Sequence, residues 1–188
     1  MIIAFEGPDK TGKSTSVAEI APQGVSRHSV TKDQYLFDKE CSDTVAYDRI
    51  DWLTHQVYRL ALPEYEWDDA RIRTVFAMPD THLVFKLHAN NTAYQIWDEL
   101  YEGADLARVN WCYSRTYRYL RDLNKALHYS LYASITLMYV EQPNESNATY
   151  RQWVDSIDSP FTVQAEPHNI SNMELYTLLS SLSEGTSV

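Results

Sequence analysis

The most informative part of this sequence lies near its start and reads Phe5-Glu6-Gly7-Pro8-Asp9-Lys10-Thr11-Gly12-Lys13-Ser14-Thr15. Residues 7–14 match the pattern G-x-x-x-x-G-K-S/T, which is typical of phosphate-binding loops. Glycines at positions 7 and 12 let the backbone turn tightly and direct its N–H groups at phosphate oxygens. Lys13 brings a positive charge to the β- and γ-phosphates, and the Ser14 hydroxyl can ligate Mg²⁺. The loop therefore predicts binding of a nucleoside triphosphate such as ATP, together with Mg²⁺.

The residues on either side of the loop favour a strand–loop–helix unit. Residues 1–5 are apolar, which is typical of a buried strand, and residues 14–20 can begin a helix. The N-terminus of such a helix faces the bound anion and favours its negative charge. A chance match of the pattern in an ordinary turn is the weaker interpretation, because both flanks fit.

Composition limits the class of protein. A chain of 188 residues with 44% hydrophobic and 22% charged residues is ordinary for a single globular domain. The formal net charge of −10 argues against a nucleic-acid partner, which requires a broad basic surface, but a small anionic substrate needs only a few local cations. No run approaches the roughly 18 apolar residues of a membrane span, and Cys41 and Cys112 suggest neither a disulfide framework nor a metal site. We expect a cytoplasmic protein.

The rest of the chain alternates between short apolar runs and helical patterns. We predict strands over residues 1–5, 25–30, 44–47, 82–87 and 134–140. We predict helices over residues 14–21, 31–40, 50–62, 70–78, 104–131, 146–157 and 171–182. This alternation predicts an α/β protein with a parallel sheet covered by helices on both faces, the three-layer P-loop NTPase fold, in one domain over residues 1–188.

Asp48 and Arg49 supply the second element of chemistry. They follow the β-prone run 44–47, so they are expected at the strand edge where the phosphate loop also lies. Phosphoryl transfer needs an acid near the metal and a cation near the transferring group. Asp48 suits the first role, and Arg49 suits the second because its guanidinium can grip a phosphate through two hydrogen bonds. The alternative is an ordinary ion pair at the end of a strand.

These residues carry a resemblance to a known family. Residues 5–15 resemble the loop of the thymidylate kinases and of the related short phage-type deoxynucleotide kinases, and Asp48-Arg49 resembles their D-R motif. Val57-Tyr58 is similar to the phage-type pattern, and Met78-Pro79-Asp80 is similar to the start of the strand before their mobile lid. Residues 135–143 look like the last strand and the adenine-side loop. The resemblance covers residues 1–157, and only the first motif is highly specific.

The resemblance implies a role for each matching residue. Asp9 would meet the sugar of the acceptor nucleotide, and Arg49 would contact its phosphate. Lys13 and Ser14 would hold ATP and Mg²⁺. Asp48 would contact the Mg²⁺ through a water molecule. The other loop residues that would contact ATP are Gly7, Asp9, Lys10, Thr11, Gly12 and Thr15. The resemblance also implies a homodimer and, if the chain is phage-encoded, the host cytoplasm.

Lys10 is informative because of what the predicted lid lacks. Residues 89–107 correspond to a mobile, lid-like segment and contain neither Arg nor Lys. In one thymidylate kinase subgroup a basic residue at the position of Lys10 stabilises the transferring group while the lid lacks that cation. The resemblance therefore implies a catalytic role for Lys10 beside Lys13, Asp48 and Arg49.

The acceptor pocket departs from the family pattern. The stretch between Lys13 and Asp48 is too short for the full thymidylate kinase insert that reads the base, and Ile50 replaces an aromatic residue. Nearby aromatic and cationic side chains could form a substitute pocket, and the candidates for binding the substrate are Asp9, Arg49, Trp52, Tyr58 and Arg71. Core packing for the aromatic residues and plain surface charge for Arg71 are the alternatives.

Three functions remain open from the sequence. The first is a Mg²⁺–ATP-dependent kinase that phosphorylates a deoxynucleoside monophosphate, with thymidylate first among the candidates. The second is transfer to the hydroxyl of a deoxynucleoside or of a modified base, which the short stretch before Asp48 would accommodate. The third is a non-catalytic ATP-binding regulatory module in which Asp48 is structural.

Overall fold

A mostly parallel sheet lies at the centre of the computed structural model, which describes residues 1–21, 24–72, 75–89, 103–141, 151–161 and 169–184. The strands are β1 (Ile2–Glu6), β2 (Val25–Val30), β3 (Val45–Ile50), β4 (Met78–His88), β5 (Tyr132–Glu141) and β6 (Arg151–Asp158). The helices are α1 (Lys13–Ile20), α2 (Lys32–Asp38), α3 (Asp51–Ala61), α4 (Asp69–Ile72), α5 (Gly103–Ala126) and α6 (Asn172–Glu184).

Strand order places the phosphate loop in the middle of the sheet. The order is β2-β3-β1-β4-β5-β6, so β1 pairs with β3 on one side and β4 on the other. All of these pairs are parallel except β5 with β6. Because parallel strands end at the same edge, the carboxyl ends of β1, β3 and β4 come together. The loop after β1 therefore lies beside the residues that end the other two strands.

Strand β1 is buried on both faces, which explains its continuous run of apolar residues. Ile2 and Ala4 face a core that also contains residues of α3 and α5. Ile3 and Phe5 face a second core, built with residues of α1 and α6. The predicted three-layer α/β architecture, with helices on both faces of the sheet, is confirmed.

Several local predictions are wrong. The helix predicted over 146–157 is, in its described part, strand β6, in which buried Gln152 and Val154 alternate with more exposed neighbours, as expected for a strand. In the described part of the helix predicted over 70–78, residues 70–72 belong to α4, whereas residues 75–77 are not helical and Met78 begins β4. The strand predicted over 44–47 continues through Asp48 and Arg49 to Ile50, so both residues belong to β3.

Helix α5 is the longest described element and ends at Ala126, earlier than the predicted Leu131. Its end is marked by His128 and Tyr129, which have φ values of 52° and 63° and so cannot continue a right-handed helix. The side chain of buried Asn124 holds this turn by accepting hydrogen bonds from the backbone N–H groups of Leu131 and Tyr132. The chain is thereby directed into β5.

The predicted lid-like segment lies largely outside the described residues, which leave out 90–102. Ala89 directly follows β4 and is buried, and residues 103–107 form the first turns of α5. Within the described ranges, no helix combines the length and the apolar character that crossing a membrane requires.

Candidate active site

The phosphate loop is pressed tightly against strand β4. Gly7 has a φ of 146°, which side-chain-bearing residues rarely adopt, and a Cβ atom built there would lie 2.0 Å from the carbonyl oxygen of Lys86. Gly12 has a φ of 73° and directly precedes α1. Lys10, with a φ of 62°, is exposed on the loop. The backbone path therefore requires glycine at position 7, and the positive φ at position 12 favours it there.

Lys13 lies inside the loop, where its ammonium group meets neutral acceptors. Its Nζ donates hydrogen bonds to the carbonyl oxygen of Pro8 at 2.6 Å and to Thr11 Oγ1 at 3.3 Å. Burial, and secondarily the charge of Arg49, lowers the pKa of Lys13 to about 7. A phosphate held in the loop would supply the opposite charge that favours the ammonium form.

Ser14 and Asp48, the two predicted metal ligands, lie together. Ser14 Oγ donates a hydrogen bond of 2.5 Å to Asp48 Oδ2. The second carboxylate oxygen, Oδ1, is buried and finds no hydrogen-bond partner among the described residues. A hydroxyl and a carboxylate are the oxygen donors that Mg²⁺ prefers, and a buried oxygen without a partner suits a metal-bound water. The residues present therefore fit a Mg²⁺ site.

Asp9 of the loop, Arg49 of β3 and Tyr58 of α3 form a second cluster. Arg49 Nη2 donates to Asp9 Oδ1 at 2.5 Å, and the Tyr58 hydroxyl donates to Asp9 Oδ2 at 2.9 Å. The Arg49 guanidinium carbon lies 5.4 Å from the centre of the Tyr58 ring, within reach of a cation–π interaction. Three predicted substrate residues thus meet at one point, with a cation and a carboxylate side by side.

Glu6 was missed as a site residue, although it directly precedes the loop. It is fully buried, and its carboxylate accepts hydrogen bonds from the Ile50 N–H at 2.5 Å, the Tyr113 hydroxyl at 2.9 Å and the Thr54 hydroxyl. Burial raises the pKa of Glu6. Because Ile50 follows Arg49, this carboxylate fixes the backbone where Arg49 adopts a φ of 79°. The signal in the sequence was an acidic residue ending an apolar strand.

His88 was also missed, and it supports the loop from the end of β4. Its Nε2 lies 2.8 Å from the carbonyl oxygen of Asp9, so this nitrogen carries the proton and donates it. The Asn110 side chain bonds to both the backbone N–H and the carbonyl of His88, at 2.9 and 3.1 Å. Burial lowers the pKa of His88, which favours the neutral ring. A rigid link therefore runs from α5 to Asp9.

The two other predicted substrate residues lie apart from this cluster. The Arg71 guanidinium is paired with the carboxylate of Asp51, with its Nε 3.0 Å from Oδ1. Trp52 is mostly buried in the core formed with α3 and α5. Both line a pocket of about 240 Å³ with Phe76 and the residues that follow β2. Of the candidates Trp52, Tyr58 and Arg71, the structure brings only Tyr58 to Asp9 and Arg49.

Comparison with known proteins gives one structural likeness. The fold is similar to that of the YorR protein from Bacillus subtilis, whose crystal structure contains phosphorylated GDP, with 20% sequence identity and a TM-score of 0.43. The likeness covers 63% of this chain and 80% of the YorR chain. No protein-family model matches the sequence, and a search of curated proteins finds no match.

Proposed function

We propose that this chain is a Mg²⁺–ATP-dependent kinase that transfers the γ-phosphoryl group of ATP to a deoxynucleoside monophosphate, with thymidylate as the first candidate. The observation that carries the proposal is that two different clusters each join the loop or the helix that follows it to β3. In the first, Ser14 of α1 and Asp48 of β3 offer oxygen ligands. In the second, Asp9 of the loop, Arg49 of β3 and Tyr58 of α3 offer a cation and hydrogen-bonding groups. A protein that only binds a triphosphate needs the first cluster but has no use for the second.

On the donor side, the loop and Lys13 hold the triphosphate. The backbone N–H groups around Gly12 and at the start of α1 bind the phosphate oxygens, and the Lys13 ammonium exchanges its carbonyl partner for them. Ser14 and Asp48 would hold Mg²⁺, which would offset the charge that accumulates on the phosphates. The exposed Lys10 would approach the transferring group from the loop.

On the acceptor side, Arg49 would hold the monophosphate in line with the γ-phosphorus. Asp9 would accept a hydrogen bond from the sugar, and the fixed contacts of Glu6 and His88 would keep Arg49 and Asp9 in position. An oxygen of the acceptor phosphate then forms a bond to the γ-phosphorus while the bond to the bridging oxygen of ATP breaks, and ADP leaves. The attacking oxygen of a phosphate dianion carries no proton, so positioning and charge supply the catalysis.

A coupled assay of ADP formation, run over a panel of deoxynucleoside monophosphates and deoxynucleosides, tests the proposal. We expect turnover with at least one monophosphate and a loss of about 100-fold in kcat for Asp48→Asn. The matched control is Asp43→Asn, which alters an exposed aspartate and should leave turnover unchanged.

The same panel separates the alternatives. Faster turnover with thymidine than with its monophosphate would favour a deoxynucleoside kinase. The regulatory ATP-binding module would be favoured by two results together. No acceptor gives turnover, and Asp48→Asn binds ATP with the same affinity as the parent protein. The homodimer implied by the resemblance and the cytoplasmic location expected from the sequence stay predictions.

A further inference from the structure

A buried lysine lies directly behind the phosphate loop. Lys86 is in β4 and only 1% of its surface is exposed. Its Nζ donates hydrogen bonds to the carbonyl oxygen of Gly12 at 3.3 Å, to Ser16 Oγ at 2.8 Å and to Gln152 Oε1 at 2.9 Å. All three of these acceptors are neutral, so the side chain brings a positive charge to the base of the loop without being neutralised by them.

The same contacts join the loop to β6 and α6. Gln152 in β6 and Ser16 in α1 both donate hydrogen bonds to Asn172 Oδ1, at 3.1 and 2.8 Å. Asn172 in turn donates to Glu19 Oε2 at 2.7 Å. Lys86 therefore lies in a buried polar network that connects α1, β4, β6 and α6. Such a network holds its members in one arrangement only when their hydrogen bonds are made.

The carbonyl group of Gly12 belongs to the peptide unit that also contains the N–H of Lys13. A trans peptide is planar, and its C=O and N–H point in opposite directions. The Gly12 carbonyl oxygen faces Lys86 of β4, which donates to it at 3.3 Å, and it also accepts from the N–H and the hydroxyl of Ser16, each at 3.1 Å. The N–H of Lys13 must then point away from β4, toward the interior of the loop where the phosphates would lie.

We propose that Lys86 is a positioning residue of the phosphate site, which fixes the Gly12–Lys13 peptide for phosphate binding and adds a buried positive charge beneath it. Burial lowers the pKa of Lys86 to about 7, and the negative charge of Glu19 offsets part of this effect. A bound triphosphate would add further negative charge close to the ammonium group. This role depends on the proposed function only in requiring that the loop binds phosphates.

The test compares the affinities of adenosine, AMP, ADP and ATP, each with Mg²⁺, for the parent protein and for Lys86→Gln, by calorimetry. We expect Lys86→Gln to bind ATP about tenfold more weakly than the parent protein, with a smaller loss of affinity for AMP and none for adenosine. The reason is that removing a positive charge weakens binding more for a ligand with more negative charge. The control Lys39→Gln alters a lysine in a partly exposed surface pair and should leave all four affinities unchanged.

The outcomes separate the two proposals. The inference about Lys86 fails if the parent protein and Lys86→Gln bind ATP equally well. It also fails if the variant loses affinity for all four ligands by the same factor, because Lys86 is then merely structural. Neither outcome contradicts the proposed function. If the parent protein binds none of the phosphate-bearing ligands, the proposed function fails and the inference fails with it. The second variant is Lys86→Met, because methionine has a volume similar to that of lysine and no charge to bury. We expect the same pattern, with the largest loss of affinity for ATP and none for adenosine.

Discussion

Replacing Gly7 by alanine should disturb both the fold and the phosphate site, by an amount that the geometry defines. The new Cβ atom would lie 2.0 Å from the carbonyl oxygen of Lys86, whereas real Cβ contacts essentially never fall below 3.0 Å. The loop and β4 must therefore move apart by about 1 Å in a tightly packed region. The φ of 146° at this position adds about 1–3 kcal/mol of backbone strain. Together we expect a loss of about 2–4 kcal/mol in the free energy of unfolding.

Function should suffer as well, because a displacement of about 1 Å in a positioning element can lower a reaction rate about 100-fold. Urea unfolding would measure the loss of stability, the coupled assay of ADP formation would measure the loss of rate, and calorimetric titration with Mg²⁺–ATP would measure any loss of ATP affinity. Gly24→Ala is the matched control: its Cβ would lie 2.4 Å from the Thr44 carbonyl oxygen, away from the loop. It should lower stability and leave ATP affinity unchanged. A Gly7→Ala protein with the parent's stability and ATP affinity would refute the reasoning.

Three further predictions address single side chains. His82 is held neutral by burial, which lowers its pKa from 6.5 to about 4, so the unfolded chain takes up the proton first as the pH falls. Between pH 6.5 and 4, the free energy of unfolding of the parent protein should therefore drop by about 3 kcal/mol more than that of His82→Gln. Urea unfolding measures both, and the same pH dependence of stability in the two proteins would contradict this prediction. Tyr113→Phe removes one hydrogen bond from buried Glu6 and should lower the free energy of unfolding by about 1–2 kcal/mol, whereas a change of only a few tenths would show that Glu6 does not depend on it. Arg49→Lys keeps the charge but loses the planar guanidinium that contacts Asp9, so kcat should fall about 100-fold in the coupled assay, and an unchanged kcat would exclude the proposed role of Arg49.

The architecture could be predicted where the signal is local. The phosphate loop is defined by residue types at fixed spacing, and β1 by an apolar run whose burial on both faces requires helices above and below. Strand β6 could not be predicted in this way. Its residues are polar enough to suggest a surface helix, and the strand conformation depends on pairing with β5, where Val140 lies opposite Gln152. Such pairing is a property of the tertiary structure, which overrides local preference.

The candidate site divides in the same manner. Asp9, Arg49 and Tyr58 could be proposed from motifs, and the structure brings them into contact. Glu6 and His88 carry no motif, and their importance comes from partners far along the chain. The Glu6 carboxylate accepts hydrogen bonds from the Ile50 N–H and from the Tyr113 hydroxyl, 44 and 107 residues further along the chain, and the sequence gives no sign of these contacts.

The tight contact between the phosphate loop and β4 has a consequence for the order in which the protein matures during translation. The loop leaves the ribosome before β4 and α6, but the carbonyl that backs Gly7 belongs to Lys86, and the side chain that accepts a hydrogen bond from Ser16 belongs to Asn172. A nascent chain that ends after α5 therefore contains every residue of the phosphate motif without the complete frame that shapes it. Chains commonly begin to fold from the N-terminus as they emerge, yet here the loop and α1 gain their full set of contacts only after β4 and α6 have been made.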